Sequence, residues 1–356
     1  MDRVRPRNPT RSRWMQATMI LISTSVAVAL TMNKPVSTGN FEQYYNQMAA
    51  NSGYKFQKEY YSELGPIGVA QSTSAGMSAD NIVKNRYSDV LPYDHSRVKL
   101  RKTGKKGIDY INANFIPGYN SPREYIATQG PLPTTKEDFW RLVWEQNSTT
   151  IVMVTQCVEK GRVKSEHYWP FDSKPTMFGD ITVTMTTESV LQEWTVRDFY
   201  LEKNHEKHSV RHFQFTAWPD HGVPESSSSV LRFVRTVRGQ LPKKSGPIVV
   251  HCSAGVGRSG TFITLDVLLQ QLAMKEDDSI DIFGIVANLR QNRCYMVQTD
   301  TQYVFIHRAI LDILQGRVSD KDWLLTPSVS TLKSDSRKIN RIDGNSEHAN
   351  NRNAEL

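Results

Sequence analysis

The stretch VVHCSAGVGRSG, Val249–Gly260, admits two readings that lead to different folds. Gly255, Gly257 and Gly260 spell G-x-G-x-x-G, the fingerprint of a dinucleotide-binding turn. The same run also places Cys252 six positions before Arg258. A dinucleotide turn needs its first glycine directly at the end of a strand, with an acidic residue about 20 positions further on for a ribose hydroxyl. Here His251, Cys252, Ser253 and Ala254 separate the last valine from Gly255, and Asp277 and Asp278 follow a long helical pattern where a second strand belongs. The context fails the dinucleotide reading.

The cysteine reading uses every unusual residue of the run. Glycines let successive backbone N–H groups turn inward without Cβ clashes and form an anion nest. A helix opening near Ser259 adds its positive end, so a phosphate is held with little reorganisation. The same field favours a thiolate at Cys252. Arg258 offers a planar fork to two phosphate oxygens, which a lysine would not reproduce. The result is a phosphate cradle of form C-x5-R with a nucleophile at its base. His251 points to the opposite face of its strand and reads as an orienting hydrogen-bonder.

Composition agrees with an anionic substrate. The 356 residues carry a net charge of +8, and five of the arginines fall within the first thirteen positions. No long basic stripe with interleaved aromatics appears, which argues against nucleic acid. Three scattered cysteines, Cys157, Cys252 and Cys294, make neither a disulfide framework nor a zinc site, and they suit a reducing compartment. His205, His208 and His212 have helix-like spacing but lie in an expected β-hairpin, so they read as surface histidines in preference to a metal site. No metal or cofactor is expected.

Residues 14–32 are mostly apolar but include six polar positions, and they reach the ~20-residue length of a membrane span only marginally. With the basic flank they fit a span or signal anchor, a cleaved signal peptide, or an organelle transit peptide. From Phe41 to Gly68 the pattern predicts two short helices, followed by a small-residue linker, Val69–Ser78. Strands are predicted at Tyr110–Ile116, Tyr125–Gln129, Ile151–Thr155, Ile181–Thr186, Thr195–Leu201, Arg211–Thr216 and Pro247–His251. Ile151–Val154 and Ile248–Val250 are continuous apolar runs, as expected of strands buried on both faces. Thr134-x-x-Glu137 reads as a capping box opening a helix over Lys136–Gln146. Val230, Phe233, Val234, Val237 and Leu241, and later Ile306, Ile310 and Ile313, repeat at helical spacing. The expected architecture is an α/β domain, a central twisted mixed sheet flanked by helices. After Gln315 the chain turns polar and is expected to be disordered.

Beyond the cradle, the sequence resembles the protein tyrosine phosphatases. VVHCSAGVGRSGTF is similar to their signature, and the likeness extends to KNRYSDVLPYD (Lys84–Asp94), DYINANFI (Asp109–Ile116), YIATQGPLPTT (Tyr125–Thr135), FWRLVWEQ (Phe139–Gln146), EKGRVKSEHYWP (Glu159–Pro170), TAWPDHGVP (Thr216–Pro224) and MVQTDTQY (Met296–Tyr303). It covers roughly residues 36–315. Residues 36–80 look like the juxtamembrane stretch of receptor-type members with a single catalytic domain. No large ectodomain precedes them in this sequence, which reads as a short form. Four regions are therefore expected: 1–35 basic and apolar, 36–80 helical, 81–315 catalytic and 316–356 tail.

The resemblance implies roles for individual residues. Cys252 would be the nucleophile, Arg258 the phosphate ligand and Asp220 the general acid. Ser259 would assist thiolate departure, and Gln298 would position the hydrolytic water, with Gln302 nearby. The loop Ser253, Ala254, Gly255, Val256 and Gly257 would cradle phosphate. Tyr87 and Val90 would line a phosphotyrosine slot, Asp89 would hold the substrate backbone, and Lys164 would support the closed acid loop. Gln302 reads equally well as a capping partner of Thr299. The implied partners are tyrosine-phosphorylated proteins, met by a catalytic domain in the cytosol, with membrane association through residues 14–32. The competing reading is a pseudophosphatase that binds phosphotyrosine without turnover.

Overall fold

The computed structural model describes residues 33–318 except 103–106, 108, 220–221, 244 and 275–277. The apolar segment 14–32, Asp220 and the polar tail from 319 onward lie outside the described residues. The strands are β1 (Arg97–Lys99), β2 (Tyr110–Ile116), β3 (Tyr125–Thr128), β4 (Thr150–Met153), β5 (Thr176–Phe178), β6 (Ile181–Val190), β7 (Trp194–Lys203), β8 (Glu206–Phe215) and β9 (Ile248–His251). Among the described residues these nine form one sheet in the order β1-β2-β3-β9-β4-β8-β7-β6-β5. The neighbours β3-β9-β4-β8 run parallel, and the outer pairings are antiparallel. The sheet is mixed, as the sequence predicts.

The continuous apolar runs are explained by this placement. Val249 pairs with Ile126 on one side and Ile151 on the other. All three join the core cluster that holds Phe139 and Trp140 of the helix α2 (Lys136–Glu145). Ile248 and Val250 alternate to the opposite face and are equally buried. On the helical layer α3 (Ser227–Gly239) and α4 (Gly257–Met274) meet through Phe233 and Phe262, whose ring centroids lie 5.8 Å apart. Helices α5 (Ile282–Asn292) and α6 (Asp300–Leu314) follow α4 in the chain. Strand β9 therefore delivers Cys252 from the middle of the sheet directly to the start of α4.

Three expectations change. Thr134 does not cap α2: the N-cap is Thr135, whose hydroxyl accepts from Leu132 N at 2.9 Å instead of serving the helix. The strands β6, β7 and β8 run further than their apolar cores, because the hairpin between β7 and β8 closes tightly at Asn204 and His205, both at positive φ. His212 is not a surface residue. It is fully buried in β8, while His208 stacks on Trp144 at 4.1 Å, so the strand sends the histidines to different surroundings.

Towards the N-terminus, the helix α1 (Phe41–Lys58) is broken at Ala50–Gly53, where Asn51, Ser52 and Gly53 take left-handed backbone, and it continues into a π-helical turn, Glu59–Leu64. Phe41, Phe56 and Tyr60 pack around His307 and Tyr303 of α6. The small-residue linker is held as well: the Asp94 carboxylate accepts from Ser72 Oγ, Ser74 N and Ala75 N. Among the described residues no helix is long and apolar enough to cross a membrane.

Candidate active site

The loop after β9 is shaped by where its carbonyls go. Cys252 O accepts from His251 Nδ1 at 3.0 Å, Ser253 O from Gly130 N at 2.9 Å, and Ala254 O and Gly255 O from Arg293 at 3.0 Å each. Val256 O accepts from Gly260 N and Val297 N. With these carbonyls tied back into the scaffold, the N–H groups of the loop are left for an anion, as in an anion nest. Gly255 makes the turn possible: its φ is +72°, and a Cβ there would sit 2.0 Å from Thr128 O.

Arg293 was not singled out in the sequence, yet it fixes this loop. It is completely buried, and its remaining donors go to Asn114 Oδ1 at 2.7 Å and Asn112 Oδ1 at 2.8 Å. The two asparagines of β2 thus carry the loop on the sheet through one guanidinium. Burial pushes the Arg293 pKa down from its ordinary value, opposed by nearby thiol and phenol groups.

His251 ties the cysteine into a second buried chain. Its Nδ1 faces a carbonyl and so must donate, which leaves Nε2 to accept from Tyr168 Oη at 2.8 Å. Tyr168 Oη then accepts from His212 Nε2–H at 2.9 Å. Burial holds the pKa of His251 down at about 4 and that of His212 well below its ordinary value, so both rings are neutral at physiological pH and their tautomers are set.

The pocket opening above Cys252 has a volume of about 290 Å³. It is lined by Tyr87, Asp89, Val90, Lys164, Cys252, Ser253, Ala254, Gly257, Arg258, Gln298 and Gln302, together with Thr155 and Glu159. Of the residues expected at the site, these eleven meet at one cavity. Gly255 and Val256 belong to the same loop but do not line the cavity, and Ser259 lies buried in the first turn of α4, its hydroxyl meeting no partner among the described residues. Tyr87 stands at the rim with its hydroxyl 2.8 Å from that of Ser253. The neighbouring Arg86 anchors this wall, donating to Gly130 O at 3.0 Å and Pro131 O at 2.6 Å.

Glu159 is the second residue the sequence reading missed. Its carboxylate receives Arg258 Nη1 at 2.6 Å and Nη2 at 3.0 Å, and Thr155 Oγ1 at 2.9 Å. Burial opposes its ionisation, but the bonds from Arg258 outweigh it and hold the carboxyl below its ordinary pKa. Arg258 Nη2 also donates to Pro219 O at 3.2 Å, and the guanidinium lies 5.8 Å from the Trp218 ring centre. The Trp218–Pro219 end of the acid-loop motif is thereby tied to the phosphate ligand. Gln302 serves two ends: its N–H is capped by Thr299 Oγ1 at 3.1 Å, while its side-chain oxygen accepts from Gln298 N at 2.9 Å. It does not reach back to Thr299 as a capping box would.

A family model described as protein-tyrosine phosphatase matches residues 81–312. The chain belongs to the protein tyrosine phosphatase family. It is 47% identical over 310 residues to receptor-type tyrosine-protein phosphatase eta of Gallus gallus, covering 86% of this chain and 22% of that protein. It is 50% identical over 275 residues to receptor-type tyrosine-protein phosphatase H of Homo sapiens, covering 76% and 24%. It is also 46% identical over 292 residues to phosphatidylinositol phosphatase PTPRQ of Homo sapiens, covering 82% and 12%. The chain spans less than a quarter of the length of each of these three relatives.

Proposed function

We propose that the chain is a protein tyrosine phosphatase that hydrolyses phosphotyrosine through a phosphocysteine intermediate. The observation that carries the reading is the cradle itself: loop carbonyls tied backward, a thiol at the base and an Arg258 fork already aimed by Glu159. In the first step the Cys252 thiolate attacks phosphorus in line, and the P–O bond to the phenol breaks. The N–H groups and Arg258 stabilise charge spreading over the equatorial oxygens. A tyrosine leaving group has a pKa of about 10, so a proton from Asp220 matters as it departs.

In the second step water, positioned by Gln298, attacks the phosphocysteine. The P–S bond breaks, its electron pair returns to sulfur, and Asp220 takes the proton. The unpartnered hydroxyl of Ser259 is available to donate to the departing thiolate. Tyr87 and Val90 hold the ring, Asp89 holds the peptide, and Lys164 supports the acid loop. The slot excludes phosphoserine, whose short side chain cannot reach Cys252. With Cys252, Arg258, Tyr87 and Gln298 gathered at one pocket and Asp220 present in the sequence, turnover is favoured over a binding-only role.

The deciding assay compares phosphotyrosine peptides, phosphoserine peptides and phosphatidylinositol phosphates with the recombinant chain. Turnover confined to phosphotyrosine is expected. No turnover on any of them overturns the enzyme reading, and preference for the lipid moves the substrate class. The catalytic domain is placed in the cytosol, where tyrosine kinases supply substrate, with residues 14–32 as the membrane-associating segment. Asn147-Ser148-Thr149 is a glycosylation sequon, so glycan on Asn147 in cells would contradict the cytosolic placement.

A further inference from the structure

Val297, the residue before Gln298, has φ +58°, a conformation that a β-branched side chain strongly disfavours. Such a turn persists only if its surroundings hold it, and the holders are identifiable. Val297 N donates to Val256 O at 3.1 Å. Val297 O accepts from Arg290 Nη2 at 2.9 Å and from Tyr60 Oη at 2.9 Å, and Met296 O accepts from Arg290 Nε at 3.0 Å. Close packing leaves the turn no slack, since a Cβ on Gly260 would lie 2.3 Å from Val297 N.

Tyr60 lies outside residues 81–312, in the π-helical turn that follows α1. It is itself fixed. The Arg290 guanidinium sits 4.7 Å from the centre of its ring, and the adjacent Glu59 carboxylate accepts from Tyr303 Oη at 2.6 Å and from Lys34 Nζ at 2.7 Å. A hydroxyl from the N-terminal helical segment therefore clamps the peptide bond between Val297 and Gln298 without itself lining the pocket.

We propose that Tyr60, with Arg290, is a positioning residue for the second half-reaction: the N-terminal segment holds the strained turn at Val297 so that Gln298 meets the attacking water. This rests on the assignment of Gln298 made above. The bonds from Tyr60 and Arg290 end on Val297 O and Met296 O and reach neither Cys252, Arg258 nor the Trp218–Pro219 stretch. The turn meets the cradle only where Val297 N donates to Val256 O, and Gly260 N holds that same carbonyl, so the first half-reaction should change little. When the turn relaxes, water is held less well, phosphocysteine waits longer, and other hydroxyl compounds compete for the phosphoryl group.

The test is rapid-quench kinetics of the full chain with para-nitrophenyl phosphate. Tyr60→Phe keeps the ring and its packing and removes only the bond to Val297 O. Loss of one neutral hydrogen bond should slow phosphoenzyme hydrolysis about three- to tenfold. The first nitrophenolate burst should stay within about twofold of wild type, with acid-stable phosphoenzyme accumulating. Added glycerol should capture a larger share of the phosphate than in wild type. Gln298→Ala run in parallel separates the two claims. If it accumulates no phosphoenzyme, the role of Gln298 itself falls. If it does, and Tyr60→Phe either matches wild type in both steps or slows both steps by the same factor with a lowered melting temperature, the clamp is merely structural and the inference is overturned.

Discussion

Replacing Glu159 by Gln isolates the aim of Arg258 from its presence. The carboxylate accepts both guanidinium nitrogens, at 2.6 and 3.0 Å, with side chains only 3% and 15% exposed. A carboxamide has one oxygen and one NH2, so one Arg258 bond survives and the other becomes a donor facing a donor. A charge-assisted bond is worth ~1.5–3 kcal/mol and breaking a buried pair costs ~3–5 kcal/mol; the partial exposure of Arg258 puts the variant near the lower end, about 2–3 kcal/mol. That lowers the melting temperature by about 4–8 °C. The larger effect should be on rate, because a freed guanidinium can shift by an ångström, a misplacement that costs about 10²-fold.

The measurements are kcat/KM on an aryl phosphate, the inhibition constant of inorganic phosphate, and melting temperature against pH. The Glu159 carboxyl is held below its ordinary pKa, so its pairing stabilises the fold above the unfolded value and that contribution is lost as pH falls through the folded value. The gap in melting temperature between wild type and Glu159→Gln should therefore close in acid. If kcat/KM stayed within about twofold of wild type while stability fell, Glu159 would be a fold residue and the aiming argument would be wrong.

Other outcomes follow from the proposed mechanism and from the burial of titratable groups. Asp220→Ala should lower kcat ~10²–10⁴-fold with KM little raised, and the loss should shrink for electron-poor aryl phosphates; an equal loss for every leaving group would place the proton donor elsewhere. Buried His251 and His307 are both held at about 4, so the fold gains stability as pH rises from there to the unfolded value near 6.5. Each should contribute about 2 kcal/mol less at pH 5 than at pH 7, and urea midpoints that do not move between those pH values would contradict their neutral burial. Burial raises the thiols of Cys157 and Cys294, so dilute peroxide should oxidise Cys252 first, reversibly and with protection by phosphate. Mass mapping that finds Cys157 modified in proportion to lost activity would refute this.

The parts of the fold legible in the sequence are those with a local signal. Continuous apolar runs found the strands buried on both faces, and 3.6-residue spacing found α3 and α6. The cradle was legible because its glycines, cysteine and arginine all lie within one loop. Glu159 and Arg293 were not, because each acts on a partner far along the chain: 99 positions separate Glu159 from Arg258, and 181 separate Arg293 from Asn112. A charged side chain reads as surface until its partner is known. His212 failed for the same reason, since Tyr168 supplies its bond from 44 positions away. The capping box at Thr134 was a matter of competition: the hydroxyl of Thr135 found a better donor in Leu132 N than the helix offered.

A cradle made of main-chain N–H groups, carried on a buried guanidinium, recognises shape and charge but not identity. Vanadate, tungstate and sulfate present the same tetrahedron of oxygens, and the two side chains that meet them at the base, Cys252 and Arg258, belong to the signature that related enzymes share. An inhibitor built on a phosphate mimic would thus gain affinity at the base and no preference among related enzymes. Selectivity has to be sought away from the base, where Tyr87, Asp89 and Lys164 line the pocket with side chains that a ligand can distinguish.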